Sequence, residues 1–326
     1  MTLTRARLRG GIDLGGTKIQ AVVIDGRNAV RGKARTATPG TGGPPAVAAA
    51  MADTLRMALG SSGASPGQLV AAGVGAPGAI DFATGAVSHS GNIAGWEGSF
   101  PLGSTLAADL GVPVRIGNDV DVATEAEFRL GAGKGFRSVL GVFWGTGVGG
   151  GLVLNGQRWS GRGASAEIGH MVVQMDGLPC PCGRRGCLEA YAGRGAMEAR
   201  ARAAARKGTK TVLFDVMERR GKDRMSSGVW EEALAAGDHL AARLIDEAVA
   251  ALGAGVASAN NLLDVEVIIL GGGLGTRMGQ PFADRLAAAM LPHVFVSERP
   301  PPVLVAALGD LGGAIGAALG SQPRAR

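Results

Sequence analysis

A chain of 326 residues is longer than a single hydrophobic core usually supports, so the sequence predicts two domains. Hydrophobic residues make up 46% and charged residues 18%, which excludes a disordered chain, and the 56 glycines lack the period of a collagen. The net charge of +6 is compatible with nucleic acid or with a phosphate-bearing substrate. Neither a signal segment nor an apolar run of membrane-spanning length is visible, so we expect a cytoplasmic protein without a membrane partner.

The first feature is a hairpin with a glycine turn. Strands are predicted over residues 8–14 and 19–24, and a third strand over 29–37. The first two strands are joined by Asp13-Leu14-Gly15-Gly16-Thr17-Lys18, whose glycines let backbone N–H groups approach a phosphate. The threonine and the lysine add a hydroxyl and a positive charge. The Walker A pattern is absent, and by itself the turn is more typical of an ordinary β-turn.

A polar pair, Asn118-Asp119, follows a later strand. The elements predicted before it are a helix over 44–59, a strand over 69–74 leading to a turn at Gly78, a helix over 102–110 and a strand over 112–116. A helix over 120–130 follows the pair. Open α/β sheets place ligand contacts at the carboxyl ends of their strands, so the pair is a candidate site. Without further context, Asp119 is more typical of a helix N-cap.

The second half of the chain repeats the hairpin. A strand over 138–144 ends in Gly145-Thr146-Gly147, and a returning strand ends at 154. This is again a strand, a glycine turn with a threonine, and a strand. Two such hairpins, one in each domain, predict a clamp on a polyphosphate, and the pairing is far more specific than either turn alone.

All three cysteines of the chain lie in one short segment. Cys180, Cys182 and Cys187 follow ten residues after His170, and three thiolates with one imidazole form a tetrahedral zinc set. Four protein ligands leave no open position, so such a zinc is structural. The alternatives are a disulfide with a spare thiol, or small apolar residues. The odd cysteine count and an intracellular setting disfavour the disulfide.

Two carboxylates flank the cysteines. Glu167 precedes His170 by three residues, and Glu189 follows Cys187 by two. A zinc-bound segment would fix both acids in one small volume, where they suit a hydroxyl-rich ligand because each accepts hydrogen bonds at defined angles. On spacing alone, a solvated surface position is an equal alternative.

The C-terminal part adds a third glycine turn. The elements predicted there are helices over 191–207, 229–236 and 238–263, an irregular stretch over 208–227, a strand over 265–270, a glycine turn over 271–275 with a helix over 279–291, an edge strand over 303–307 and a helix over 310–319. The glycine turn permits close approach of a flat ring or a phosphate, or is a bare strand-to-helix turn. The small residues of the last helix predict tight packing against the first domain.

The cysteine segment resembles the signature of the ROK family of sugar kinases and sugar-responsive repressors. The matching residues are Glu167-Ile168-Gly169-His170 and Cys180-x-Cys182-Gly183-x-x-Gly186-Cys187-x-Glu189, and matches continue from about residue 11 to residue 320. The resemblance implies an α/β protein of the two-domain actin-like ATPase and sugar-kinase fold, which is ribonuclease H-like, with an interdomain cleft. We place the smaller domain at 1–118 plus 308–326 and the larger, zinc-carrying domain at 119–307.

The resemblance also implies roles for the motifs. Asp119 corresponds to the catalytic base of an ATP-dependent kinase, and the zinc ligands are His170, Cys180, Cys182 and Cys187. The implied sugar contacts are Gly78, Asn118, Asp119, Glu167, His170 and Glu189. The implied contacts to ATP and Mg²⁺ are Asp13, Gly15, Gly16, Thr17, Lys18, Gly145, Thr146, Gly147, Gly272 and Gly273. The chain differs from the usual family sequence at Gly117 and at Asp121. The negative charge of Asp121 lies near the base and is expected to raise the pKa of Asp119.

The expected substrate is a hexose, with glucose first because Ala166 precedes Glu167 as in glucokinase members of the family. N-acetylglucosamine, N-acetylmannosamine, mannose, fructose and allose stay open, as does polyphosphate as the phosphoryl donor. A sugar-sensing regulator is the rival, but only twelve residues precede Asp13, too few for a helix-turn-helix module, so no nucleic acid is expected. Family members suggest a homodimer or a higher homo-oligomer.

Overall fold

A computed structural model describes residues 7–88, 90 and 93–321. The chain forms two compact units, which we call unit 1 and unit 2. Unit 1 contains the chain up to Gly131, Arg158–Ser165, and the chain from Leu308 onward, and unit 2 contains Ala132–Gln157 and Ala166–Ala307.

The strands in chain order are β1 (Leu8–Leu14), β2 (Lys18–Ile24), β3 (Val30–Ala37), β4 (Leu69–Ala76), β5 (Ala79–Asp81), β6 (Ala86–Ser88), β7 (Ser99–Phe100), β8 (Val114–Asn118), β9 (Val139–Trp144), β10 (Val148–Leu154), β11 (Gln157–Arg158), β12 (Val267–Gly271) and β13 (Val303–Val305). The α-helices are α1 (Gly43–Ser61), α2 (Leu102–Leu110), α3 (Asp119–Leu130), α4 (Leu188–Ala192), α5 (Arg194–Arg206), α6 (Leu213–Arg219), α7 (Ser227–Ala235), α8 (His239–Leu263), α9 (Gly272–Met290) and α10 (Gly312–Gly320).

Unit 1 is built on a five-stranded sheet in the order β3-β2-β1-β4-β8. β1, β4 and β8 are parallel, and their register aligns Asp13 with Gly75 and Gly75 with Gly117. The carboxyl ends of these three strands therefore lie side by side at one edge of the sheet, which is where α/β sheets hold ligands.

The two faces of this sheet are covered by α1 and α10. Side chains alternate between the faces of a strand, and β1 shows both contacts. A Cβ on Gly10 would lie 2.7 Å from a methyl group of Leu55 in α1, whereas a Cβ on Gly11 would overlap the backbone of α10 at Ala314. The small residues thus allow a helix to lie directly on the strand backbone.

Helix α3 belongs to unit 1, whereas the sequence analysis began the larger domain at Asp119. The physical reason is its packing on α10, where a Cβ on Gly316 would overlap the carbonyl of Val122. Such a close helix–helix contact joins the last helix of the chain to the helix that follows Asn118.

Unit 2 has a second five-stranded sheet, in the order β11-β10-β9-β12-β13. β9, β12 and β13 are parallel, and β10 pairs with β9 in antiparallel register. The long helix α8 is capped by Asp238, which accepts a hydrogen bond from the Ala241 N–H at 2.8 Å. Its apolar side joins a core that includes Trp144 and Trp230.

Three predicted elements differ from the structure. The helix expected over 191–207 is divided at Gly193 into α4 and α5, and the stretch expected to be irregular contains α6. Helix α9 begins at Gly272 instead of near 279, and a left-handed Gly279 with Pro281 kinks it where the prediction placed its start.

In the described part of the chain, none of the helices has the length and apolar character needed to cross a membrane.

Candidate functional site

In unit 1 the predicted site residues gather at the carboxyl ends of the parallel strands. Asp13 is the second-to-last residue of β1, Asn118 is the last residue of β8, and Gly78 follows β4 by two residues. Gly78 has a left-handed φ of 100°, and the turn before it is held by the buried Ser90, whose hydroxyl donates to the Pro77 carbonyl at 2.7 Å. The sheet therefore brings together residues that are more than 100 positions apart in the chain.

Asn118 is the N-cap of α3. Its Oδ1 accepts hydrogen bonds from the Val120 N–H at 2.9 Å and the Asp121 N–H at 3.2 Å. Asp119 is the first residue of the helix, so the capping function belongs chiefly to its neighbour, although Asp119 Oδ1 also lies 3.0 Å from the Val120 nitrogen. Asp119 is half-buried at the amino end of α3, where the partial positive charge of the helix favours an anionic group.

The acids of this site influence one another. Burial, together with the neighbouring charges of Asp119 and Asp310, raises the pKa of Asp13 to about 7 against the opposing effect of Lys18. Lys18 Nζ lies 2.9 Å from Asp310 Oδ2. Three carboxylates and one ammonium group form an acidic environment whose oxygens suit a hard cation such as Mg²⁺.

The first glycine turn is a closed hairpin. The Gly15 N–H donates to the Lys18 carbonyl at 3.0 Å, and the Thr38 hydroxyl donates to the Gly15 carbonyl at 2.6 Å. Gly16 and Thr17 are exposed at its tip. The turn thus presents its backbone and the threonine hydroxyl on a braced support.

Gly117, where this chain differs from the usual family sequence, is closely packed against Val122. A Cβ at this position would lie 2.7 Å from Cγ1 of Val122, so a larger residue requires that valine to move. Asp121 is buried on the first turn of α3, close in sequence to Asp119.

Unit 2 brings the predicted zinc ligands together. One ligand atom from each of His170, Cys180, Cys182 and Cys187 lies within 4.8 Å of all the others. The Cys182 and Cys187 sulfurs are 3.7 Å apart, and His170 Nδ1 is 3.9 Å from the Cys180 sulfur. Tetrahedral Zn–S bonds of about 2.3 Å place two sulfurs about 3.8 Å apart, so this donor set fits zinc.

The electrostatics of the cluster are also compatible with a bound cation. Burial raises the pKa of the Cys180 and Cys187 thiols above the ordinary range, whereas a backbone hydrogen bond from Arg184 lowers the pKa of Cys182. A bound zinc ion offsets the cost of burying thiolates, because ligation itself deprotonates them.

Glu167 and His170 face one another beside the cluster. With Nδ1 directed at Cys180, the other ring nitrogen, Nε2, lies 4.0 Å from Glu167 Oε2. The Glu167 carboxylate is more than half exposed. The two residues therefore offer a carboxylate and an imidazole on the open side of the zinc segment.

Glu189 lies under the second hairpin. Its Oε2 accepts the Val148 N–H at 2.9 Å, and a Cβ on Gly147 would overlap this carboxylate. The hairpin is closed by the Gly145 N–H, which donates to the Gly147 carbonyl at 2.9 Å. The described contact of Glu189 is therefore with the second hairpin, and its predicted contact with a sugar stays a prediction.

The third glycine turn lies against the same hairpin. Gly273 N is 3.9 Å from the position of a Cβ on Gly145, and a Cβ on Gly272 would lie 2.5 Å from the Trp144 carbonyl. Gly272 also has a left-handed φ of 79°, so both space and backbone favour glycine there. The start of α9 and the hairpin tip thus form one contiguous group.

Sequence reasoning missed Arg194. Its guanidinium donates to the Thr146 hydroxyl at 2.9 Å and to the Ser227 hydroxyl at 3.0 Å. No recognised motif contains it, because Arg194 lies in the stretch over 191–207 that was predicted as a single helix. The only indication in the sequence is that Arg194 is a basic residue located between the second and the third glycine turns.

Comparisons with known proteins agree with this geometry. The ROK family model matches residues 9–322. The glucokinase of Halalkalibacterium halodurans is 38% identical over 56% of this chain, but the match spans only 55% of that protein. The glucokinase of Thermotoga maritima is 32% identical over 76% of both chains. Kinases of N-acetylmannosamine and N-acetylglucosamine also match, at 32% and 33% identity.

Among solved structures, a ROK family glucokinase from Streptomyces griseus in complex with glucose and AMPPNP superposes with a TM-score of 0.81. It is 32% identical, and the match covers 96% of this chain and 99% of that one. The predicted α/β fold class of actin-like sugar kinases is confirmed. Because the family model extends over nearly the entire sequence, the chain belongs to the ROK family.

Proposed function

We propose that this protein transfers the terminal phosphoryl group of ATP to a hexose, with glucose as the preferred substrate. The observation that carries the proposal is the placement of Asp119 at the carboxyl end of β8, electrostatically linked to Asp13 at the end of β1, in a chain of the ROK family. Similarity to glucokinases supports the choice of reaction.

Asp119 acts as the base. It accepts the proton of the attacking sugar hydroxyl, expected to be the 6-OH, while the hydroxyl oxygen bonds to the γ-phosphorus and the bond from that phosphorus to the β-phosphate oxygen breaks. The products are the hexose 6-phosphate and ADP. Asp13 would hold Mg²⁺ through water, and the ion supplies neutralisation of the phosphate charge.

The remaining residues position the reactants. Glu167 and His170 accept or donate hydrogen bonds to sugar hydroxyls, and the Asn118 amide and the Gly78 backbone add to them. His170, Cys180, Cys182 and Cys187 would hold a structural zinc ion, which fixes the segment that carries Glu167 and Glu189. The turns at Gly15–Lys18 and Gly145–Gly147 bind phosphates, and Gly272 with Gly273 binds adenosine.

Glucose is preferred because of the residue before Glu167. Ala166 has a left-handed φ of 57°, a conformation that costs an alanine free energy and costs a glycine none. Ala166 therefore restricts the backbone that orients the Glu167 carboxylate. Kinases acting on 2-acetamido hexoses are the second candidate, since kinases of N-acetylmannosamine and of N-acetylglucosamine match this chain.

The decisive experiment is ADP release with ATP, Mg²⁺ and a panel of hexoses and 2-acetamido hexoses, alongside Asp119→Asn. We expect turnover on glucose that is lost in the variant. A higher specificity constant for a 2-acetamido hexose would contradict the substrate, and absence of turnover on every sugar in zinc-replete, folded protein would contradict the reaction. Turnover with inorganic polyphosphate in place of ATP would change only the identity of the phosphoryl donor in the proposal.

The assembly proposed is a homodimer. Light scattering coupled to size exclusion, at concentrations from low to high micromolar, measures the mass directly, and a mass of one chain throughout would contradict it.

A further inference from the structure

Arg194 connects the two glycine turns of unit 2. Its Nη2 donates to Thr146 Oγ1 at the tip of the second hairpin, and its Nη1 donates to Ser227 Oγ. The Ser227 hydroxyl in turn lies 3.6 Å from the position of a Cβ on Gly273, at the start of α9. One guanidinium thus holds the turn assigned to phosphates beside the turn assigned to adenosine.

The backbone of the same segment fixes the hairpin tip. The first two N–H groups of α5 donate to hairpin carbonyls, Arg194 N–H to Gly145 at 3.1 Å and Gly195 N–H to Thr146 at 3.0 Å. The amino end of a 13-residue helix, which carries a partial positive charge, is therefore directed at the turn.

The charges around Arg194 do not cancel. Burial and the neighbouring Arg224 lower the pKa of Arg194, and only Glu198 opposes them. Glu198 is already engaged, because its Oε1 accepts two hydrogen bonds from Arg202 and its Oε2 accepts the Met225 N–H at 2.9 Å. Glu198 is thus shared between Arg194 and Arg202, while Arg224 adds a further positive charge near Arg194.

The partly buried guanidinium of Arg194 is energetically unfavourable unless an anion binds to it. A partly buried cation loses hydration, and its two described hydrogen bonds go to neutral hydroxyls that return little of that energy. A guanidinium has five N–H donors, so donors remain for phosphate oxygens after these two bonds are made.

We propose that Arg194, assisted by Arg224, binds the β- and γ-phosphates of ATP and holds the Thr146 turn in position for them. This inference rests on the proposed function, because it takes the phosphoryl donor as the ligand. An ammonium group cannot replace the guanidinium, since a single nitrogen cannot span the Thr146 and Ser227 hydroxyls and a phosphate together.

The test is calorimetric titration of the zinc-replete protein with ATP, ADP, AMP, adenosine and inorganic tripolyphosphate. The variants are Arg194→Ala and Arg194→Lys, with Arg206→Ala as the matched control, since Arg206 is exposed at the opposite end of α5. We expect Arg194→Ala to weaken ATP and tripolyphosphate binding about 10- to 100-fold, as expected for lost charge-assisted hydrogen bonds. Adenosine binding should change less than about twofold, and Arg194→Lys should fall between the alanine variant and the wild type.

Two results would overturn the inference. One is ATP affinity in Arg194→Ala equal to that of Arg206→Ala. The other is an equal loss of adenosine and ATP affinity, which would show that Arg194 only maintains the fold of the turns. A wild-type protein that binds ATP but phosphorylates no hexose contradicts the proposed function while the titrations still decide the role of Arg194. A wild type that binds no ATP contradicts both.

Discussion

The two glycine hairpins of this molecule have the same construction and different electrostatic surroundings. Each joins two antiparallel strands and closes with a short hydrogen bond, from Gly15 N–H to the Lys18 carbonyl and from Gly145 N–H to the Gly147 carbonyl. Around the first lie three carboxylates and one ammonium group. Beside the second lie Arg194, which has Arg224 as a neighbour, and a single carboxylate, that of Glu189.

This difference divides the chemistry between the units. Carboxylates suit a proton acceptor and a magnesium ion, so the proposed base and the metal contact belong to unit 1. Guanidinium groups suit phosphate oxygens, so unit 2 would supply the charge that binds the polyphosphate. A shared backbone motif thus does not define the function of a turn, and the side chains packed around it do.

The largest effect should come from removing the base of unit 1. In Asp119→Asn we expect kcat to fall about 10³-fold, within the range for a lost general base, while the KM for ATP changes little. ADP release under saturating hexose and ATP measures it. Asp109→Asn, an exposed aspartate of α2 paired with Arg56, is the control and should retain full activity. Retention of a tenth of the activity by Asp119→Asn would place the base elsewhere.

The second largest effect should come from removing the proposed zinc ion, and it should affect unit 2. Cys182→Ser or chelation would release the segment that carries Glu167 and, through Glu189, the support of the second hairpin. We expect hexose affinity to fall about 100-fold, at the upper end of effects known for residues that orient a metal site. Zinc content and hexose titration are measured on the same samples. Metal-free protein that binds hexose with unchanged affinity would rule out this role.

The acidity of unit 1 should appear as a pH dependence. In the folded state the pKa of Asp13 is raised from 3.8 to about 7. Between pH 3.8 and pH 7, Asp13 is therefore protonated in the folded state and ionised in the unfolded state. The free energy of unfolding therefore falls as pH rises through this window and levels off above 7. Asp13→Asn should remove this loss, which amounts to roughly 1–2 kcal/mol between pH 5.5 and 8 for a half-buried group.

Urea unfolding at both pH values in magnesium-free buffer checks this expectation. The control is Asp81→Asn, whose carboxylate has a pKa lowered by hydrogen bonds from Thr84 and Ala83, so it titrates below the window. Its stability difference from the wild type should be the same at pH 5.5 and 8. Parallel pH profiles for Asp13→Asn and the wild type would show that Asp13 titrates normally.

Much of unit 1 could be predicted from the sequence, because its signals are local. β1 and α2 have the predicted bounds, and the strand predicted over 112–116 is shifted by two residues to Val114–Asn118. The helix start at Gly272 could not be predicted, since a glycine run is typical of a turn and only the contact with Trp144 shows why glycine begins this helix. Arg194 and Glu189 obtain their contacts from residues 48 and 41 positions away, which no local pattern encodes.

The smallest effect should come from Asp310, whose carboxylate is 70% exposed and lies 2.9 Å from Lys18 Nζ. This pair means that a phosphate must compete with Asp310 for the ammonium group, whereas Arg194 of unit 2 donates to neutral hydroxyls. Exposed ion pairs contribute about 0.2–1 kcal/mol, so Asp310→Asn should lower the KM for ATP about 1.5- to 5-fold at low salt. Because salt screens exposed charges, the difference should shrink at about 0.5 M salt. Asp53→Asn, which breaks the exposed pair with Arg56, should leave the KM unchanged. A rise in KM instead would mean that Asp310 positions Lys18 for the phosphate, and the contrast between a neutralised cation in unit 1 and an available one in unit 2 would no longer hold.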